Sequence, residues 1–472
     1  MNELCALSAC EQTRLVRTGQ VSPLELVEAA LNRIEFVQPI CNPFAFVFAD
    51  EARRQAREAE KLIGPDAPPL LGLPVAFKDF TPTAGQRTTR GSFAFENWVP
   101  DRDPAIVRRF KEAGAIIIGK TTTPEFAYSS FTRSPLWGKT SNPWDPSRCA
   151  GGSSGGSGVA VTTGCVALAE GTDMGGSVRI PAALCGCVGL KPSLGRIPMD
   201  ILPTVFDDMS HFGPLARSID DTALFLSVAE GPDEYDISSQ RQPLPLPDQF
   251  LTDLSGFRIA VSEDLDFFEV HPDVRSNLAR TVQTLNDAGA TAETVTLGWS
   301  ADLVTAWNQW WCVYLAAAFA DCLNQYRQRM DPEVVTLIEA GSAMDAVSFA
   351  RIDQLRTQQW HQLAKLFERF DALICPSMAQ PAPDNDASDN DFLKIEADGR
   401  LHGLDMTGVF NMVSQCPSLS LPSGTTKSGL PTSVQIVARR FDDPTALRIG
   451  AAIEARQPWT EWTPAALHPP QQ

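Results

Sequence analysis

Apolar residues recur at helical spacing from residue 23 to about 38, directly after Ser22-Pro23-Leu24-Glu25. A serine N-cap, proline in the first turn and glutamate three residues on form a capping box, so a helix is predicted to start here. Residues 50–62 read as a second, surface-charged helix, and the apolar run 71–77 as a short strand whose end delivers Lys78. Asp103-Pro104 opens another helix closed by Gly114, and 115–118 is a buried strand. Residues 166–172 read as a central strand, after which Ser177 sits at a strand-to-helix turn with its helix ending near Cys185. A helix is predicted over 218–229. Strands at 257–261 and 291–295 flank a helix near 274–288, and 302–370 is helical by period, broken only by Pro332. Strands at 372–375, 418–421 and 431–437 precede a last helix at 444–455. This alternation predicts an α/β fold with a mixed central sheet sandwiched by helices. No repeat and no long linker divides the 472 residues, so one domain over 1–472 is expected.

Composition narrows the function classes. Apolar residues make up 43%, enough for a large core. The formal charge of −18, without any lysine-arginine cluster, argues against nucleic acid as a partner. No apolar run reaches the ~18 residues of a spanning helix, so no membrane association is expected. Met1-Asn2-Glu3-Leu4-Cys5 lacks the basic start of a signal peptide. Eleven scattered cysteines read as mostly buried free thiols, and Cys185-Gly186-Cys187 lacks metal or redox spacing. A cytoplasmic location follows as an expectation.

Candidate chemistry lies in two serine-bearing glycine clusters, Gly151-Gly152-Ser153-Ser154-Gly155-Gly156 and Gly171-Thr172-Asp173-Met174-Gly175-Gly176-Ser177, with Lys78 upstream. Glycines let a backbone approach a ligand with its N–H groups exposed. Serines there are candidate nucleophiles or relays, and a buried lysine can lose its charge and act as a base. This set needs no cofactor and no metal.

Three competing patterns fail on context. Gly114 to Thr121 spells a P-loop, but its interior Ala115-Ile116-Ile117-Ile118 is itself a strand where a phosphate cradle needs a loop. Ser153 and Ser154 each satisfy Gly-x-Ser-x-Gly, yet the residues before them, 143–148, form a loop rather than the strand of a nucleophile elbow. The histidines (His211, His271, His361, His402, His468) have no motif context; the sequence leaves open whether His211 or His402 approaches the serines. Asp384 to Asp391 lacks the glycine and glutamate of a calcium loop and reads as a solvated acidic loop.

These segments, in this order, resemble the amidase signature family. The resemblance includes 119–127, 142–148, 178–183, 189–193, 213–217 and 370–376. It runs nearly unbroken over 20–235 and returns over 365–455. It implies a signature core and triad in 1–235, a variable substrate-pocket region in 236–365, and a C-terminal return to the sheet in 366–472. It further implies an amide hydrolase with Ser177 as nucleophile, Ser153 as a bridging serine after a cis peptide, and Lys78 as base. Successive N–H groups at Met174, Gly175, Gly176 and Ser177 would form the oxyanion hole. Ser154, Asp173 and Arg179 match supporting positions that orient the loop.

The thinly matching region should supply pocket walls. Trp307, Trp310, Trp311 and Tyr314 fall at helical spacing, a stripe read first as core; Phe319, Tyr128, Phe131 and Trp137 are further aromatic candidates. Should part of the stripe line the site, the substrates would be apolar or aryl amides, with carbamates (urethanase activity) and esters as related acyl groups. The alternative is the glutaminase component of a tRNA-dependent amidotransferase, which must hold an α-carboxylate. Arg327, Arg329, Arg351 and Arg356 are the cations available in that region, and they read as solvent-facing.

Overall fold

One mixed sheet of eleven strands takes members from both ends of the chain. The computed structural model describes residues 3–459 and Pro464. In chain order the strands are β1 Phe44–Val47, β2 Pro74–Lys78, β3 Ile116–Thr121, β4 Leu168–Asp173, β5 Val188–Lys191, β6 His211–Ala216, β7 Arg258–Val261, β8 Thr291–Thr294, β9 Ala372–Pro376, β10 Ser418–Thr425 and β11 Pro431–Ala438. Across the sheet they lie β1-β3-β2-β4-β6-β5-β10-β11-β9-β7-β8. The β3-β2-β4 and β9-β7-β8 neighbours are parallel, and the other pairs are antiparallel.

Alternation along β2 places the lysine. Leu73, Val75 and Phe77 enter one core layer with Phe110, while Ala76 enters the opposite layer with Ile116, Ile118, Ala169 and the Gly155–Thr162 helix. Side chains two residues apart share a face, so Lys78 points to the side on which Ser153 precedes that helix. Helices cover both faces, and the sandwich expected from the sequence is present.

Most predicted elements form. Ser22 and Glu25 make the reciprocal capping box of the Pro23–Cys41 helix, which runs three residues beyond the predicted end despite Pro39. The P-loop-like stretch is a helix end, a turn at Gly114 (φ +84°) and strand β3, and Lys120 is wholly buried. Strands β1, β5 and β6 were not predicted. In β6 the reason is specific: Gly213-Pro214 within a central strand argues against one. Here Gly213 lies against the Leu190 carbonyl, where a Cβ would collide, and Pro214 sits opposite Glu170. The 302–370 stretch resolves into the helices Asp302–Phe319, Leu323–Tyr326, Pro332–Ser342 and Ala346–Phe367. His468 lies outside the described residues.

Phe110 packs on Phe77 (ring centroids 5.5 Å) and Phe225 (4.7 Å), directly behind the strand that carries Lys78. Phe110→Ala is expected to cost about 3–5 kcal/mol. Denaturant unfolding measures this; a loss well under 1 kcal/mol would mean that this layer is not close-packed.

Candidate active site

Lys78 ends β2 with its side chain wholly buried. Its Nζ donates to Ser153 Oγ at 2.6 Å and to Thr172 Oγ1 at 2.8 Å. The β2–β4 ladder stops at Ala76 opposite Ala169, and from there the Glu170 carboxylate replaces it, accepting from the Lys78 backbone N–H (2.9 Å) and from Thr81 Oγ1 (2.9 Å). Burial pushes the Lys78 ammonium down to about 7, against the opposing pull of Glu170 and Asp173. Burial likewise raises Glu170 above the usual carboxylate range, although its hydrogen bonds and the two neighbouring lysines oppose that shift. Ser153 follows the cis peptide Gly152–Ser153.

Beyond β4 the chain makes the turn 173–177 before the Arg179–Cys185 helix. Burial alone would raise the Asp173 carboxyl, but the Arg179 charge and the hydrogen bonds from Arg179 and Asn411 hold it well below the usual range. The pair is bidentate, Nη2 to Oδ1 at 2.9 Å and Nε to Oδ2 at 3.0 Å, and fully buried. The turn's carbonyls are each engaged. Met174 accepts from Trp307 Nε1 (3.0 Å), Gly175 from Thr407 Oγ1 (2.7 Å), Gly176 from Ile180 N (2.6 Å) and Ser177 from Ser154 N (3.1 Å). A trans peptide directs the next N–H away from each such carbonyl. Both glycines are sterically required: a Cβ on Gly175 would overlap the Trp307 ring, and one on Gly176 (φ +123°) would overlap Thr407.

Ser153, Thr172 and Ser177 face one narrow pocket of about 20 Å³, walled by Phe80, Phe126, Met174, Trp311 and Tyr314, with Ile201 and Leu202. Ser177 is part-exposed there, and its Oγ makes no hydrogen bond among the described residues. Across Trp311 lies a larger cavity of about 360 Å³, bounded by Tyr128, Trp307, Asn308, Thr336, Asp389 and Asp405, among others. Among the described residues, neither lining contains a lysine or arginine. A neutral amine hydrogen-bonded to a serine, beside a second serine on a turn rich in N–H donors, can pass a proton and stabilise an oxyanion.

The structure thus brings Lys78, Ser153, Ser154, Asp173, Ser177 and Arg179 together. Three expectations need correction. The Gly176 N–H donates to Asp173 Oδ1 at 2.8 Å, which takes it out of the set of N–H groups expected to receive an oxyanion. The 384–391 loop is not simply solvated: Asp389 turns its carboxylate inward to accept from Ser129 Oγ and Ser130 N, and burial lifts it to about 6. Arg356 is not solvent-facing, since its guanidinium bridges the Met412 carbonyl and Asp208. The aromatic stripe is both core and wall, with Trp311 and Tyr314 buried and lining the serine pocket. Trp137 instead donates to Asp79 and Thr89, and Phe131 packs in a separate cluster. His211 meets the Ser414 carbonyl and His402 meets Glu269. Sequence reasoning missed Glu170, Thr172, Thr407, Asn411 and Gln435. A charged residue directly after the apolar run 166–169, within the predicted strand 166–172, was the available signal for Glu170.

Because the depressed lysine becomes neutral as pH rises through about 7, hydrolysis that uses it as a base should gain rate through that pH and level off above it. The pH profile of kcat/KM on an anilide measures this; a rate that falls over the same range contradicts it. Gly175→Ala should lower kcat by about 10²–10³-fold, the effect of losing one oxyanion donor, because the methyl displaces Trp307 and turns the peptide.

The profile of the Amidase family matches residues 25–447. An acylamidase of Rhodococcus erythropolis is 33% identical over 97% of this chain and 97% of its own. A glutamyl-tRNA(Gln) amidotransferase component from Roseiflexus castenholzii is also 33% identical, over 98% of this chain and 97% of its own. The crystal structure of a bacterial aryl acylamidase of the amidase signature enzymes superposes with a TM-score of 0.92 at 27% identity, covering 98% of this chain and 99% of that one. With the family profile and these relatives spanning nearly its whole length, the chain belongs to the amidase family and is an amide-hydrolysing enzyme.

Proposed function

We propose that the protein hydrolyses apolar aryl amides through Lys78, Ser153 and Ser177, and takes carbamates and esters as related acyl substrates. The observation that carries this reading is a wholly buried, deprotonation-prone lysine 2.6 Å from Ser153, in a pocket that Ser177 shares with aromatic walls. Once Lys78 is neutral it has a lone pair, so the contact with Ser153 can reverse and the serine hydroxyl can donate to Nζ. Ser153 then takes the proton from Ser177 Oγ as that oxygen attacks the carbonyl carbon. The N–H groups of Met174, Gly175 and Ser177 receive the oxyanion. Collapse of the tetrahedral species expels the amine, which takes the proton back from Ser153 while Lys78 supplies another to the relay. Water repeats the sequence on the acyl-enzyme, releasing the acid and regenerating Ser177. Asp173 and Arg179 hold the turn, and Ser154 N–H fixes the Ser177 carbonyl.

The linings favour this reading over the glutaminase one. A glutamine α-carboxylate would need a cation, since a buried unpaired charge is costly. The larger cavity instead presents Glu333, Asp389 and Asp405, and neither lining has a lysine or arginine among the described residues.

Ser177→Ala should abolish turnover with the fold retained, and a fluorophosphonate should label Ser177 in the wild type. Lys78→Ala should cost about 10²–10⁴-fold in kcat, the range of a lost general base. Values of kcat/KM on an anilide, an aryl carbamate and glutamine test the substrate class. Mass spectrometry placing the label on Ser153 or Ser154, or glutamine as the fastest of the three substrates, would overturn the proposal.

A further inference from the structure

The pairing between β2 and β4 is cut short by one of its own side chains. Val75 and Ala76 pair with Leu168 and Ala169, and at the next residue the Glu170 carboxylate accepts from the Lys78 N–H (2.9 Å) and from Thr81 Oγ1 (2.9 Å). Glu170 is fixed on its other sides as well. Its carbonyl accepts from Ser157 Oγ at 2.8 Å, and its neighbour on β6 is Pro214, which has no N–H to donate. Glu170 is wholly buried and forms no ion pair among the described residues. A buried carboxylate without an ion pair is costly, so packing alone does not account for an acid here. The two hydrogen bonds and the charges of Lys78 and Lys120 support its ionised form against burial.

The other charged groups around Lys78 are largely answered by partners of their own. At the end of β4, Asp173 is held by its bidentate pair with Arg179. Directly after β2, Asp79 accepts from Thr89 and Trp137, and it is the first charge felt by Lys120 of β3. On β6, burial keeps His211 neutral. Glu170 acts on Lys78 ahead of Asp173, favouring the ammonium form where burial favours the neutral amine. Burial unopposed would leave an amine too weakly basic to take a proton from Ser153, and a general base works best when it is poised near the operating pH. We propose that Glu170 is a positioning residue that acts through Lys78: fixed at the lysine's own N–H, its charge sets the pH at which the lysine becomes a base. This rests on the reading of Lys78 as base given above and adds the group that tunes it.

Glu170→Gln tests this, because it keeps an oxygen for the Lys78 N–H and a polar group beside Thr81 while removing the charge. Two quantities are followed against pH: kcat/KM on an anilide, and the Lys78 side-chain signal in lysine-labelled protein by NMR, assigned as the one absent from Lys78→Ala. Without the carboxylate's pull the amine loses its proton more readily, so both the titration and the rise in rate should move lower by about one pH unit, the effect of one nearby opposite charge. Glu170→Asp keeps the charge but draws it back by one methylene. It should move both in the same direction by less, and it carries the test if the glutamine variant does not fold. A residue that only supported the fold would lower the rate at every pH and leave the Lys78 titration where it was. A titration that stays in place or moves higher in these variants would overturn the proposal. A titration that moves lower while the rate profile stays in place keeps the role of Glu170 and removes Lys78 as the base, so the two readings fail separately.

Discussion

The Asp173–Arg179 ion pair joins parts of the chain that are remote in sequence. Arg179 spends its remaining protons on the Thr407 carbonyl (3.0 Å), Asn411 Oδ1 (2.6 Å) and Gln435 Oε1 (3.1 Å), all from the last third of the protein. Asp173 in turn accepts from Asn411 Nδ2 and from the Gly176 N–H. A charge pair at zero exposure is tolerable only when its hydrogen bonds are filled, and losing one partner of such a pair typically costs about 3–5 kcal/mol. The turn that carries Ser177 is therefore fixed by desolvated electrostatics as well as by backbone preference. The first half of the chain supplies Lys78, Ser153 and Ser177, and the last third supplies the groups that clamp the turn carrying Ser177.

Three wholly buried lysines show why only one is suited to proton transfer. Burial pushes Lys78 and Lys191 to about 7 and Lys120 to about 8. Lys191 donates to the carbonyls of Pro192, Ser414 and Cys416, and Lys120 to the Thr81 carbonyl and the Thr83 hydroxyl. Carbonyls only accept, so they hold a lysine in the role of donor. Both partners of Lys78 are hydroxyls, Ser153 and Thr172, which can donate as readily as accept. The difference lies in the partner's chemistry more than in the depth of burial.

Much of this was legible in the sequence because it is written locally. The capping box at Ser22, the apolar run before Lys78 and the glycines at 175 and 176 each depend on near neighbours and could be read from them. Strand β6 was hidden because its glycine and proline follow from a partner strand distant in the chain. Asn411 and Gln435 were hidden for the same reason, since a neutral side chain in an apolar segment reveals its role only when Arg179 is placed beside it. The Gly176 donor was misassigned because a nest of N–H groups looks alike in sequence whether or not a carboxylate has already taken one. Arg356 looked solvent-facing on its own helix, and only the Met412 carbonyl and Asp208, from two other segments, cover its guanidinium.

Trp307 has a consequence for how this enzyme could diversify. Its indole closes over Gly175 and its N–H holds the Met174 carbonyl. One and two turns further along the same helix, Trp311 and Tyr314 face the small pocket. The helix thus carries a fixed position at Trp307 and adjustable ones about 6 and 10 Å further on at Trp311 and Tyr314, at 1.5 Å rise per residue. Lineages or libraries that reshape selectivity can vary the adjustable positions while the fixed one remains a structural part of the reaction centre. Changes at Trp311 and Tyr314 reshape the wall of the small pocket, while the Trp307 contacts with Gly175 and the Met174 carbonyl stay in place.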